Sequence, residues 1–225
     1  MLREAWLHIL VFDFPGAQRL CEEVAGASAQ YLSGQPTAIA AIAGGYAALY
    51  EQDCENAMRA FREVLDRDTA PKFFLHWYWR MQAELGMTNA FLQKGDIASA
   101  RSEAERFQQS ALSTADPNLQ VLAWEAKARL AMVEKKWKES EKCLQQAFAI
   151  LEKVSVPLSA WRVHEASWKL YGREKDDEAA ETHRRRAEAA ILALANSFEP
   201  DAPLRNSFLA APPVRSILDS AKARS

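Results

Sequence analysis

The side chains best suited to catalysis or metal binding are four histidines, and their spacing matches no ligand pattern. His164 begins the segment HEASW, which starts like the helix of a zinc protease. That chemistry needs a second histidine four positions later, one turn along the same helix face, and Trp168 stands there. His8, His76 and His183 are likewise not at metal-ligand spacing. The sequence therefore predicts no metal site, and it predicts structural or surface roles for all four histidines.

The sequence also lacks the loops and nucleophiles that mark an enzyme. Gly44 and Gly45 lie in AGGY, but no glycine–lysine pair follows at the spacing of a phosphate loop. We expect these glycines to allow close helix packing, at a cost of up to about 1 kcal/mol each relative to alanine. Cys21, Cys54 and Cys143 are odd in number and far apart, which fits a reducing compartment. The sequence therefore predicts a protein that is not an enzyme and has no cofactor.

The charge of the chain argues against nucleic-acid and membrane partners. The formal net charge is −2, whereas a surface that binds phosphates or anionic lipids is basic. The one dense basic segment, HRRRAE at 183–188, follows the acidic segment EKDDEAAE at 174–181, so these charges pair along one helix. The longest uncharged run, SGQPTAIAAIAGGYAALY, has an apolar part too short for a bilayer, which needs roughly 20 residues. We expect a cytoplasmic protein.

Two kinds of helix-boundary signal recur along the chain with nearly the same period. Prolines suited to the first turn of a helix occur about every 40 residues. In TADP, Asp116 is predicted to cap a helix that begins at Pro117. Midway between the prolines, polar turns lead to a small residue at intervals of 40, 43, 40 and 40 residues, which indicates a repeat architecture. The prolines are Pro36, Pro71, Pro117, Pro157 and Pro200, and the small residues are Ala17, Ala57, Ala100, Ser140 and Ala180.

Each repeat is predicted to consist of helix A, a tight turn, helix B and a proline-marked break. The B helices have one apolar face and one charged face, as in RSEAER, whereas the A helices are apolar on most sides. No segment alternates with the period of two that predicts strands. We therefore predict an all-α, right-handed superhelical solenoid of about five helix-turn-helix repeats with a C-terminal helical cap. The predicted repeat domain is 1–199, with units at about 1–33, 36–68, 71–114, 117–155 and 157–199, and the cap is 200–225.

These units resemble tetratricopeptide (TPR) repeats. In that family helix A has a large residue and, four positions later, a small one, and an alanine opens helix B before another large residue. The resemblance departs from the family at Ala41 and Glu84, which stand where a large apolar residue is usual, and the period is nearer 40 than 34. The matching residues are Gly45, Ala57 and Phe61 in unit two, Thr88, Phe91 and Ala100 in unit three, and Trp124, Ala128, Ser140 and Leu144 in unit four.

The end of the chain resembles the C-terminal helical-repeat regions of large bacterial signalling ATPases and transcription activators. A glycine–arginine turn, Gly172–Arg173, precedes the last B helix, and PLRNSFL and a short final helix follow it. The resemblance implies a non-enzymatic protein–protein interaction or scaffold module, as the regulatory part of a larger bacterial signalling protein. An alternative that stays open is a sensor that binds a small effector and controls an attached ATPase, kinase or DNA-binding domain.

The TPR resemblance also implies a partner and a surface for it. In that family the A helices line a concave groove that holds a protein or peptide. The family's clamp for acidic C-terminal peptides matches Asn89, but Tyr46 and Arg129 break its pattern, so we do not expect that ligand. The predicted groove residues are Ile42, Tyr46, Tyr50, Leu85, Asn89, Gln93, Glu125 and Arg129.

The aromatic stretch from 72 to 96 is predicted to form a largely buried A helix. A helix that is apolar on most sides lies in a core, although Trp77, Tyr78 or Trp79 is an alternative contact for a partner. The predicted polar stripe is Lys72, His76, Arg80 and Glu84, and the apolar stripes are Phe74, Trp77, Met81 and Leu85 and then Leu75, Trp79, Ala83 and Met87.

The first helix is shorter than the later A helices, and no capping residue precedes it. Since a terminal repeat exposes the face that a neighbour would cover, we expect an apolar patch there. The chain is then either the C-terminal part of a longer protein or self-associates through its N-terminal end. The patch is predicted to comprise Trp6, Leu7, Leu10, Val11 and Phe14.

Overall fold

The computed structural model describes residues 1–27, 34–66, 75–200 and 202–222 of the chain. Over these residues the regular structure is entirely α-helical, as predicted, in twelve helices. The first six are α1 (Leu2–Leu10), α2 (Phe14–Ala27), α3 (Gln35–Tyr50), α4 (Cys54–Leu65), α5 (His76–Lys94) and α6 (Ile97–Leu112). The others are α7 (Pro117–Val133), α8 (Trp137–Leu151), α9 (Pro157–Glu174), α10 (Asp177–Ala195), α11 (Pro203–Ala210) and α12 (Pro212–Lys222).

The chain divides into two compact units, Met1–Phe107 and Gln108–Ser225, at a point inside α6. In unit 1 each of α1 to α4 packs on the next helix in sequence, and α3 also contacts α1 and α5. In unit 2 the helices α7 to α10 pack in the same sequential way, and α7 also contacts α9. Both units therefore place successive A helices side by side. The two short helices α11 and α12 pack on α10.

Five turns between an A helix and its B helix share one backbone design. In each turn a residue in the left-handed region is followed by a residue whose N–H donates to the carbonyl five positions earlier, for example Asp53 to Ala48 at 2.9 Å. This is the hydrogen bond of a Schellman-type helix end. The turns recur at the spacing predicted from the small residues. Their left-handed residues are Phe12, Gln52, Gly95, Lys135 and Lys175.

Aspartate caps begin four of the five B helices. The carboxylate of Asp53 accepts from the backbone N–H of Asn56 at 3.0 Å, and that of Asp96 accepts from Ser99 at 3.1 Å. Asp13 and Asp176 do the same for α2 and α10. These bonds satisfy N–H groups that a helix start leaves unpaired. In the fourth turn Lys136 occupies this position, and its side chain makes no cap bond.

The predicted cap of α7 is confirmed, and the small residue that follows each of the five turns is buried. Asp116 accepts from the N–H of Leu119 at 3.0 Å, and Pro117 is the first residue of α7. Small side chains at these positions let two helix axes approach within about 8–10 Å. The buried small residues are Ala17, Ala57, Ala100, Ser140 and Ala180, each four positions after the cap residue.

The aromatic ring of Phe61 on α4 lies against glycines of two A helices. A Cβ atom at Gly45 of α3 would be 2.5 Å from this ring, and one at Gly86 of α5 would overlap it as well. Phe61 is fully buried. Since no larger residue fits at either position without moving the ring, the two glycines set how closely α4 approaches α3 and α5.

The aromatic stretch of α5 is mainly buried, as predicted. Trp79, Met81 and Leu85 are each less than 5% exposed, whereas Trp77 is 46% exposed. The predicted polar stripe is wrong for Glu84, which is 1% exposed. Its carboxylate pairs with Arg80 one turn earlier at 3.3 Å, which compensates the buried charge. Lys72 and Phe74 lie outside the described residues.

The predicted N-terminal apolar patch is wrong for two of its five residues. Val11 and Phe14 are buried, because the chain turns back at the end of α1 and Phe14 stacks on Tyr46 with ring centroids 6.3 Å apart. Trp6 is half-buried and packs edge-on to Trp79 at 5.0 Å. Leu7 is 45% exposed and Leu10 is half-buried. The exposed apolar area at this end is therefore smaller than predicted.

The glycine–arginine turn is also in a different place from the prediction. Gly172 and Arg173 lie within α9, and the turn into α10 occurs at Lys175, which has a φ of 62°. The resemblance placed the turn at the glycine because glycine is the usual left-handed residue. Here the repeated turn accepts lysine, glutamine and phenylalanine instead.

Substituting alanine at two glycines with open space around them should change the free energy of unfolding in opposite directions. Gly95 has a φ of +80° and Gly172 is helical, and no atom would lie within 4 Å of an added Cβ at either position. Gly95→Ala should lower the free energy of unfolding by about 1 kcal/mol, because the left-handed conformation disfavours a Cβ. Gly172→Ala should raise it by up to about 1 kcal/mol through helix propensity. Chemical denaturation measures both. Equal effects of the two substitutions would contradict the assigned turn.

The Phe61 contact gives a second prediction. Gly86→Ala should destabilise the protein by about 1–3 kcal/mol through overpacking, despite the better helix propensity of alanine. Gly44→Ala is the matched control, since its Cβ would meet only the flexible amide of Gln18 at 3.3 Å. Gly86→Ala should destabilise the Phe61→Leu variant less than it destabilises the wild-type protein, because the smaller side chain leaves room for the added methyl group. The measurement is the denaturation midpoint of Gly86→Ala, Gly44→Ala, Phe61→Leu and the double variant. Additive effects of Gly86→Ala and Phe61→Leu would contradict the contact.

Candidate binding surface

The C-terminal halves of α3 and α5 meet along one side of unit 1. The side-chain amide of Gln93 donates to the backbone carbonyl of Leu49 at 3.1 Å, and the hydroxyl of Tyr46 donates to the carbonyl of Gln82 at 3.5 Å. These bonds cross between two A helices, so they fix the register of α3 against α5. The structure thus brings Tyr46 and Tyr50 of α3 close to the helix that holds Asn89 and Gln93.

Four of the predicted groove residues are accessible on unit 1. Tyr50 is 38% exposed, Gln93 is exposed, and Tyr46 and Asn89 are half-buried. We call these four residues the α3–α5 surface. They occupy successive turns of two adjacent helices, so Tyr46 and Tyr50 share a face of α3, and Asn89 and Gln93 share a face of α5.

Two other predicted groove residues lie beneath this surface. Ile42 is fully buried in the core of unit 1, and Leu85 is 4% exposed. The prediction that these two residues line the groove is wrong. Each lies four residues before the first residue of the α3–α5 surface on its helix, nearer the middle of that helix, where neighbouring helices cover it. Ile42 and Leu85 therefore support the surface and do not line it.

An aromatic residue that the sequence did not indicate lies beside Tyr50. Phe12, the left-handed residue of the first turn, has its ring centroid 5.7 Å from that of Tyr50, and Phe14 is 5.2 Å from Tyr50. Aromatic pairs at these distances stabilise one another beyond their buried area. Phe12 stands directly before the capping residue Asp13. That position in the sequence is the signal that could have indicated an aromatic side chain at the turn.

The α3–α5 surface presents amide groups and phenol rings. Asn89 and Gln93 each have a side-chain amide, which can both donate and accept hydrogen bonds, as a peptide backbone does. Tyr46 and Tyr50 add phenol rings, which combine apolar area with a hydroxyl.

The remaining two predicted groove residues, on α7 in unit 2, form a buried ion pair. Glu125 is 3% exposed, and one of its oxygens lies 2.6 Å from Nε of Arg129, one turn later. The guanidinium is partly accessible, with a side-chain exposure of 31%. Arg80 and Glu84 make the equivalent pair on α5 in unit 1. Glu125 is therefore a structural residue, and only Arg129 reaches solvent.

Two further findings bear on the kind of site. Among the described residues, no group of three or more histidine, cysteine, aspartate or glutamate side chains is placed to hold a metal ion. Across the same parts of the chain, no helix combines the length and the apolar character needed to cross a membrane.

Comparison with known proteins adds no family to these observations. Neither the scan of protein-family models nor the search of curated proteins found a match to the chain.

The Glu125–Arg129 pair gives a third prediction. Arg129→Met should lower the free energy of unfolding by about 2 kcal/mol, because it leaves a buried carboxylate without its charged partner. The double variant Glu125→Leu/Arg129→Met removes both charges and should be more stable than the single variant. Thermal and urea unfolding of the three proteins measure this. A double variant less stable than Arg129→Met would contradict the structural role of the pair.

Proposed function

We propose that this protein is a non-enzymatic, TPR-type helical-repeat module that binds a protein or peptide segment on the α3–α5 surface. The observation that carries the proposal is the side-by-side packing of α3 and α5, which joins Tyr46 and Tyr50 to Asn89 and Gln93. The recurrence of one turn design supports the repeat architecture, and a right-handed superhelical arrangement of the repeats is part of the proposal.

The proposed binding mode uses an extended peptide. The amides of Asn89 and Gln93 hydrogen-bond its backbone, and an apolar side chain packs against Tyr50 and Phe12. The hydrogen bond from Gln93 to Leu49 already orders that side chain, so less conformational entropy is lost on binding. Since the surface is small and its four residues are uncharged, we expect a micromolar Kd, equivalent to about −8 kcal/mol.

A second candidate function is a sensor for a small effector that controls an attached output domain of a bacterial signalling protein. A cleft in unit 2 favours this candidate, because small-molecule sites are concave and combine apolar walls with a few convergent polar groups. Its lining includes Phe148, His164, His183 and Arg186. Under both candidates we propose a cytoplasmic protein.

A peptide-display selection tests the first candidate. Peptides selected on the wild-type protein should bind it with micromolar Kd, and Tyr50→Ala/Asn89→Ala should weaken them by roughly tenfold or more, as loss of an aromatic contact and of one hydrogen bond implies. Titration calorimetry measures the affinities, and circular dichroism checks that each variant is folded.

The matched control is Arg59→Ala, which changes an exposed residue of α4, a B helix of the same unit. Selected peptides should bind this variant as they bind the wild type. Peptides whose affinity is unchanged by Tyr50→Ala/Asn89→Ala, or a selection that enriches no binder, would count against the α3–α5 surface as the binding site.

A further inference from the structure

A cleft of about 730 Å³ in unit 2 lies between the end of α8, the segment that joins it to α9, and one side of α9 and α10. Apolar and polar side chains line it in nearly equal share. The lining residues that bear on a ligand are Phe148, Val156, Ala160, His164, His183 and Arg186.

The two histidines of the cleft are in direct contact. Nδ1 of His164 on α9 lies 3.0 Å from Nδ1 of His183 on α10. Phe148 packs against both rings, with centroids 5.0 and 5.4 Å away, and Tyr171 stacks on His183 at 5.4 Å. Two further rings, one from α8 and one from α9, therefore pack on the imidazole pair.

The hydrogen bond within the pair determines what it offers to a ligand. One Nδ1 must carry the proton and the other must accept it, so at least one ring is neutral. When both rings are neutral, the donating histidine keeps a lone pair on its Nε2 and the accepting histidine keeps an Nε2–H. The pair then has one acceptor and one donor left for other groups, fixed in position by the packed rings.

Burial and a neighbouring cation keep the pair neutral. Burial lowers the pKa of His164 to about 4, helped by His183 and by the Arg186 guanidinium, and it lowers the pKa of His183, again helped by Arg186. The charged groups that line the cleft are Arg186 on α10 and, at the end of α8 and beyond it, Glu152 and Lys153. At neutral pH the histidine side of the cleft therefore has one positive charge, that of Arg186, and no carboxylate.

We propose that this cleft binds a small organic anion with an apolar body, its carboxylate paired with Arg186 and accepting the free Nε2–H of the histidine pair. The body of the ligand then lies against Phe148, Val156 and Ala160. Burial of that body removes apolar surface from water, which favours binding. A charge-assisted bond to a guanidinium is about twice as strong as a neutral hydrogen bond.

A metal ion is the other ligand that two imidazoles bring to mind. Here the only carboxylate in the lining is that of Glu152, and Arg186 repels a cation beside the histidines. The cleft therefore favours an anion.

The test uses 1-naphthoate as the probe and the full 225-residue protein. Ring signals of His164 and His183 in a ¹H–¹³C NMR spectrum should shift on titration, and calorimetry at pH 7 should give a Kd for the probe. Arg186→Gln should weaken binding by roughly tenfold. Arg185→Gln is the matched control, because Arg185 is the adjacent residue on α10 and pairs with Glu181 at 2.8 Å outside the cleft; it should bind the probe like the wild type.

Three results would overturn the proposal: no shift of either histidine at millimolar probe, equal affinity for neutral 1-naphthamide, or equal effects of Arg186→Gln and Arg185→Gln. Binding of Zn²⁺ in place of naphthoate at the two histidines would do the same. The proposal is independent of the peptide surface in unit 1, since Tyr50→Ala/Asn89→Ala should bind naphthoate with unchanged affinity. It gives the effector-sensing candidate a ligand class and a site.

Discussion

Unit 1 depends on the contact between one aromatic ring and two glycines. Phe61 is fully buried, and its ring occupies the space that a Cβ would need at Gly45 and at Gly86. The two glycines are on different A helices, so a single side chain of a B helix sets the approach of both. That approach lets α3 and α5 run side by side, and only then do Tyr46, Tyr50, Asn89 and Gln93 form one surface. The glycines are costly in a helix, and close packing is what they provide in return.

The five turns share one design, whereas the helices that they join differ in length. Each turn has a left-handed residue, then a hydrogen bond to the carbonyl five positions back, then a small buried residue four positions after the cap. Aspartate fills the cap position in four turns, and Lys136 fills it in the fourth without a side-chain bond. The backbone bond is present in all five, so it is the constant part of the design, and the aspartate cap adds to it.

Much of the fold could be predicted because it is encoded locally. Helix A and B patterns, the cap at Asp116 and the buried alanines each depend on residues within a few positions of one another. The errors concern contacts that such patterns do not contain. The i, i+4 spacing places Glu84 on a polar stripe and the TPR resemblance places Glu125 in the groove, yet each is buried beside an arginine one turn away. Phe14 stacks on Tyr46, and His164 contacts His183. Both contacts join different helices, and nothing in the spacing of these residues indicates them.

We propose that the packing of α3 against α5 creates a peptide-binding surface. The most direct measurement is a map of backbone amide chemical-shift changes when a peptide obtained by selection is titrated into isotope-labelled protein. We expect the largest chemical-shift changes at Tyr46, Tyr50, Asn89 and Gln93, and no change at the amides on the exposed side of α4. Largest changes on α4, or confined to unit 2, would contradict it.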